Sequence, residues 1–172
     1  LKFKQDMARL VEDLRAGIPA AFESDEYRAR QREIETEFGE RQEQMISTIG
    51  ERAKAQGIAL LRTPAGFGFA PSQGEEVMTP VDFRKLPEEE QKRLEKAITG
   101  LQEELEHAAR DMPKWRREAQ RKMRELNRQI VRVAVNGLIE DLREEYDALA
   151  QVRRYLDAVQ EDVLDHAELF HQ

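Results

Sequence analysis

Apolar or small side chains recur at alternating intervals of four and three residues at Leu94, Ile98, Leu101, Leu105, Ala108, Met112, Trp115 and Ala119. This spacing keeps one narrow stripe facing a partner helix, and it is the seam of a coiled coil. One extra residue follows Ala119, which locally unwinds any supercoil, and the stripe resumes at Met123, Leu126, Ile130, Val133 and Gly137. A helix over residues 87–146 would span about 90 Å, more than a compact domain of this size can enclose. The expectation is an elongated, mainly α-helical molecule onto which the other segments fold back.

The composition agrees with long amphipathic helices whose outer faces stay wet: 37% of residues are charged and 6% aromatic. A net charge of −7 disfavours general attraction to nucleic acid or an anionic membrane. The absence of cysteine removes disulfides, thiol catalysis and cysteine-based zinc sites, and it fits a reducing compartment. No stretch approaches the ~20 apolar residues of a membrane span. The opening at Leu1, inside a helical pattern, suggests a segment of a longer chain.

In chain order, residues 1–15 carry Phe3, Met7, Leu10, Val11 and Leu14 at helical spacing. Gly17 and Pro19 are expected to stop that helix, leaving Ile18 and Phe22 in an apolar corner. Ser24 reads as the N-cap of a second helix reaching about Gln56, with Asp25 and Glu26 favouring its dipole. Tyr27, Ile34, Phe38, Met45, Ile46 and Ile49 form its narrow apolar stripe, and Gly57 ends it. The period then changes to that of strands. Residues 58–62 and 67–70, joined by Thr63-Pro64-Ala65-Gly66, read as a β-hairpin with Phe67 and Phe69 on one face, and 75–78 as a possible third strand.

Thr79-Pro80-Val81-Asp82 starts a short helix bearing Phe83 and Leu86, and Pro87 starts the long one. Pro113 predicts a kink near Asp111 and Met112 rather than a stop. A last helix is expected over residues 149–170. These lengths suggest a base bundle (1–22 and 120–172), an antiparallel coiled-coil arm (24–56 and 87–119) and a β tip (57–86).

Motifs for catalysis and nucleotide binding are missing. The chain has no G-x-x-x-x-G-K-[ST] or G-x-G-x-x-G loop, and Ser24, Ser47 and Ser72 lie in no nucleophile elbow. His107, His166 and His171 do not share a helical face at metal-binding spacing, so no catalytic residue, cofactor or metal is expected. Residues 114–132 hold eight basic side chains against Glu118 and Glu125, with Lys114, Arg117, Arg121, Arg124 and Arg128 on one stripe. That stripe reads either as a patch for an acidic partner, an unfolded chain or nucleic acid, or as arginines that pair with the acidic helices or face solvent. Trp115 lies on the seam and reads as a packing residue. At the tip, Leu60, Leu61, Phe67 and Phe69 are candidates for an apolar binding patch. The alternative is a mini-core of Leu60, Phe69, Val77 and Phe83.

Residues 21–27 (Ala-Phe-Glu-Ser-Asp-Glu-Tyr), the hairpin sequence of 57–71, the Leu-Pro-Glu-Glu-Glu of 86–90 and the segment 155–163 together resemble the helical coiled-coil domain inserted in the ATPase-like region of Lon-related proteases of the LonC type. The resemblance covers nearly the whole chain, and the hairpin is its most specific part. It implies a cytoplasmic, ring-forming serine protease as parent, with a Ser-Lys dyad in a separate domain that has no counterpart here. Some such relatives degrade unfolded proteins without ATP. The function implied is substrate capture or gating, with unfolded proteins and neighbouring subunits as partners. The alternative is a structural arm that holds the ring together.

Overall fold

The computed structural model describes residues 1–170. The chain is mainly helical, with one small antiparallel sheet: α1 (Lys2–Phe22), α2 (Asp25–Ala55), β1 (Ile58–Thr63), β2 (Gly66–Gln73), β3 (Glu76–Val77), α3 (Pro80–Arg84), α4 (Glu88–Ala109), α5 (Met112–Glu145), α6 (Ala150–Asp165) and a 3₁₀ turn at Ala167–Phe170. Among the described residues no helix is long and apolar enough to cross a membrane. Two compact units result. The first comprises Leu1–Thr36 and the stretch from Glu118 onward, and the second Glu37–Arg117.

In the first unit, α1 does not stop at Gly17 and Pro19 as expected but continues to Phe22 with Pro19 inside it. Leu10, Leu14, Ile18 and Phe22, spaced by four, are all buried, so two further turns of helix complete a single apolar row. That gain offsets the hydrogen bond Pro19 cannot make, because fully burying one large aliphatic side chain contributes about 2 kcal/mol. Ser24 caps α2 as expected, its Oγ accepting from the Tyr27 N–H at 3.2 Å. The Tyr27 ring meets Phe22 edge-on at 5.1 Å, and its hydroxyl donates to Asn127 Oδ1 at 2.8 Å.

On α5 the expected seam is wrong after Ile130. Val133 is 74% exposed and Gly137 is also exposed, whereas Val131, Val135 and Ile139 are fully buried. The cause is a second neighbour. α1 approaches one side, where Gly17 lies beside Leu138, and α6 runs antiparallel on the other, where Arg143 binds Asp157 at 2.7 Å and Arg128 binds Asp165 at 2.9 Å. A helix covered on two sides buries two adjacent rows rather than one seam. The last helix is likewise shorter than expected: α6 ends at Asp165, and a 3₁₀ turn follows that buries Ala167.

Near the start of α1, Phe3 meets Tyr146 and Tyr155 edge-on at 5.3 and 6.1 Å. The Tyr146 hydroxyl donates to Asp6 Oδ2 at 2.6 Å. That bond, with desolvation and nearby carboxylate charge behind it, pushes the phenol up to about 12. A raised folded-state value means that the neutral phenol is the stabilising form. The contribution is complete below the unfolded value of about 10 and is lost as pH rises through the folded one. Tyr146→Phe should therefore flatten the alkaline decline of stability, measured as urea midpoints across that window. An unchanged pH profile would show that the bond does not hold the phenol.

In the second unit α2 and α4 run antiparallel. Arg52 pairs with Glu104, Arg93 reaches the Gln56 carbonyl at 3.4 Å, and Arg41 lies 6.0 Å from the Trp115 ring centre. Ile49, Ala53, Ile58, Leu94 and Leu101 form the core, with Phe69, Phe83 and Leu86 packed against it. Gly57 takes φ +72° between α2 and β1, as its helix-ending role requires. The hairpin forms as read, closed by Thr63 Oγ1 donating to the Gly66 carbonyl at 2.9 Å, and β3 extends the sheet in the order β1-β2-β3. Thr79 caps α3 by accepting from the Asp82 N–H at 3.1 Å.

Pro113 does not kink a continuous helix. α4 ends at Ala109, a two-residue turn follows, and α5 begins at Met112. This places the proline in a first helical turn, where its missing N–H has no helical partner to lose.

Candidate functional site

Strand alternation sorts the four apolar tip residues onto two faces. In the β1–β2 register Leu60 faces Phe69, Leu61 faces Gly68 and Arg62 faces Phe67. Paired residues share a face and neighbours along a strand do not, so Ile58, Leu60, Arg62, Phe67 and Phe69 lie on one side and Ala59, Leu61, Gly68 and Ala70 on the other.

The first side packs inward. Ile58 is fully buried, Leu60 lies over α2 beside Gly50, and Phe69 joins the core. Phe67, nearer the turn, has the Arg62 guanidinium 5.4 Å from its ring centre, a cation–π contact worth about 0.5–1 kcal/mol at an exposed site. The opposite side carries no charged side chain. Leu61 is half-buried there, and a Cβ placed on Gly68 would meet nothing within 4 Å.

Ser72 of β2 has the parity of Gly68 and Ala70 and pairs with Val77, which brings Val77 to this outer face. Of the mini-core suggested by the sequence, Phe69 and Phe83 do join the core, but Val77 is 45% exposed. Neither Val77 nor the 59% exposed Val81 stands out in the sequence as a surface residue. Composition cannot tell which side of a three-stranded sheet is covered.

All five residues of the predicted basic stripe lie on α5. Lys114 and Arg117 belong to the second unit, and Arg121, Arg124 and Arg128 to the first. Only Arg128 among them is ion-paired within the described residues, to Glu161 Oε2 at 3.2 Å and Asp165 Oδ1 at 2.9 Å. Pairing across helices thus accounts for one arginine of the stripe. The structure adds Arg132, one helical turn beyond Arg128, beside a groove of about 480 Å³ between α5 and the C-terminal segment. Spacing alone would have included Arg132, which continues the same row. Trp115 is half-buried beneath Arg41.

His107 and His166 are exposed, His166 with Nδ1 2.8 Å from the Asp162 carbonyl, and His171 lies outside the described residues. Among the described residues, no three or more His, Asp or Glu side chains are grouped to hold a metal ion. Comparison of the chain with known protein families, curated proteins and solved structures finds no significant match.

Proposed function

We propose that this chain is a non-catalytic substrate-capture domain of a Lon-like protease that acts on unfolded proteins in the cytoplasm. In this reading α2 and α4 form an antiparallel coiled-coil arm, and the hairpin at its end takes up an exposed apolar stretch of the substrate. One observation carries the capture assignment: the outer face of the sheet, with Ala59, Leu61, Gly68, Ala70 and Val77 beside the uncharged Ser72, is mostly apolar, bears no charge and has open space above Gly68. Apolar surface of this kind is what an unfolded chain seeks and a folded polar surface does not. The link to the protease family rests on the sequence resemblance.

The substrate contacts assigned to the tip divide by whether they pack into the core. Leu61 on the outer face, and Phe67 on the inner side but nearer the turn, lie outside the core and are the residues a substrate reaches first, while Leu60 and Phe69 support the hairpin from inside. Leu61→Ser with Phe67→Ser should weaken binding of a permanently unfolded model protein by about tenfold, the loss of about 1.4 kcal/mol, in a fluorescence titration with the same protein folded as control. Unchanged affinity in the double variant, with the far-ultraviolet spectrum retained, would remove the hairpin from the capture site. Such a result together with self-association of the parent chain would support the alternative, a structural arm holding neighbouring subunits.

A further inference from the structure

The groove between α5 and the C-terminal segment combines two kinds of group. Arg121, Arg124 and Arg132 line it and make no hydrogen bond or ion pair with any described residue. Arg128 lines it as well, already held by Glu161 and Asp165. Glu125, Asp165 and Glu168 line it beside these cations, while the buried Leu164 and Ala167 supply an apolar lining. The row from Arg121 to Arg132 follows one side of α5 over about 16 Å, at 1.5 Å per residue. In a chain of net charge −7, three guanidinium groups without an ion pair among the described residues, beside a concavity, are a local exception.

We propose that this groove docks an acidic polypeptide segment. Its carboxylates would pair with Arg121, Arg124 and Arg132, and its backbone N–H groups would donate to Asp165 and Glu168. The mixture of donors and acceptors selects this ligand class. A phosphodiester backbone offers acceptors only, so it would set phosphates against the three carboxylates of the groove with no donor to offset them. A peptide offers both acceptors and donors. The apolar lining accepts an intervening aliphatic side chain, which a nucleic-acid backbone lacks. The groove lies in the first unit, distinct from the hairpin, and its assignment does not depend on the capture reading.

The test uses the whole chain and a fluorescein-labelled, glutamate-rich peptide, followed by anisotropy at low and high salt. Binding should weaken steeply with salt, because the pairs are solvent-exposed and screened. Arg124→Gln with Arg132→Gln should weaken it about tenfold, since each exposed charge contact is worth up to about a factor of five. Arg154→Gln, on an exposed arginine of α6 outside the groove, should leave it unchanged. All of these surface changes should preserve the far-ultraviolet spectrum. Failure of the peptide to bind would overturn the proposal, as would equal loss in the Arg154 control. Tighter binding of a single-stranded oligothymidylate that is lost in the same double variant would reassign the groove to nucleic acid.

Discussion

Ile139→Ala should destabilise the first unit by about 3 kcal/mol, whereas Val133→Ala on the same helix should change stability by no more than about 0.5 kcal/mol. Ile139 is fully buried in a cluster with Ile18, Val135 and Leu156, each of them also without solvent exposure. Truncation there removes aliphatic surface from a filled site and leaves a cavity whose walls, helices α1, α5 and α6, can close only in part. Val133 projects into solvent and has little packing to lose. The contrast decides between two phases of one helix: a coiled-coil seam through Val133 and Gly137 predicts the reverse order of effects. Urea midpoints at constant slope would report it. Equal losses in the two variants would mean that α5 is packed on a third side.

The second large effect is expected at the junction of α2 and β1. Gly57→Val should cost about 2 kcal/mol, because φ +72° forces a β-branched side chain into the left-handed region. The Cβ itself meets only Leu94 Cδ2, at 4.0 Å, so the penalty is one of backbone conformation and not of crowding. The residue matters because it reverses the chain between a helix and a strand whose first side chain, Ile58, is fully buried in the core of the second unit. Gly39→Ala makes the comparison: Gly39 lies inside α2 with nothing within 4 Å of its Cβ position, and the change should stabilise the helix by about 0.5–1 kcal/mol. Hydrogen exchange of the β1 amides would locate the Gly57 effect. Full protection in the valine variant would show that the junction tolerates another conformation.

Stability and the proposed capture can be probed separately at the tip. Leu60 and Phe69 contribute to the second unit's core side, so their loss would weaken the fold together with any binding. Leu61 and Phe67 are half-buried without belonging to that core. A reading that grouped all four residues by hydrophobicity could not have made this distinction, because it depends on which side of the sheet the helices cover and on how far each residue lies from the turn.

Signals that act within one turn were legible in the sequence. Ser24, Thr79-Pro80 and Gly57 each place a helix boundary through a hydroxyl, a ring or a missing Cβ, and those boundaries require no distant partner. The hairpin was legible for the same reason, with Pro64 and Gly66 setting the turn between two runs of strand period. Elsewhere the local signal was outweighed. Pro19 reads as a stop, yet the row from Leu10 to Phe22 is buried along its whole length, and packing against the first unit's core keeps the helix going. After Ala119 the residues at 126, 130, 133 and 137 are as regular as those before, and only the presence of helices on two sides of α5 transfers burial to Val131, Val135 and Ile139.

The basic stripe divides in the same way. Its spacing on one helical face follows from the sequence, but the pairing of Arg128 and the joining of its neighbours to a groove required α6 and the turn after it to be in place. The sequence by itself determined where elements begin and turn, since those choices are settled by dihedral preferences and hydrogen bonds a few residues apart. Only the tertiary structure decided which of several equally apolar or equally charged rows is covered, because burial depends on how many neighbours a helix has and from which side they arrive.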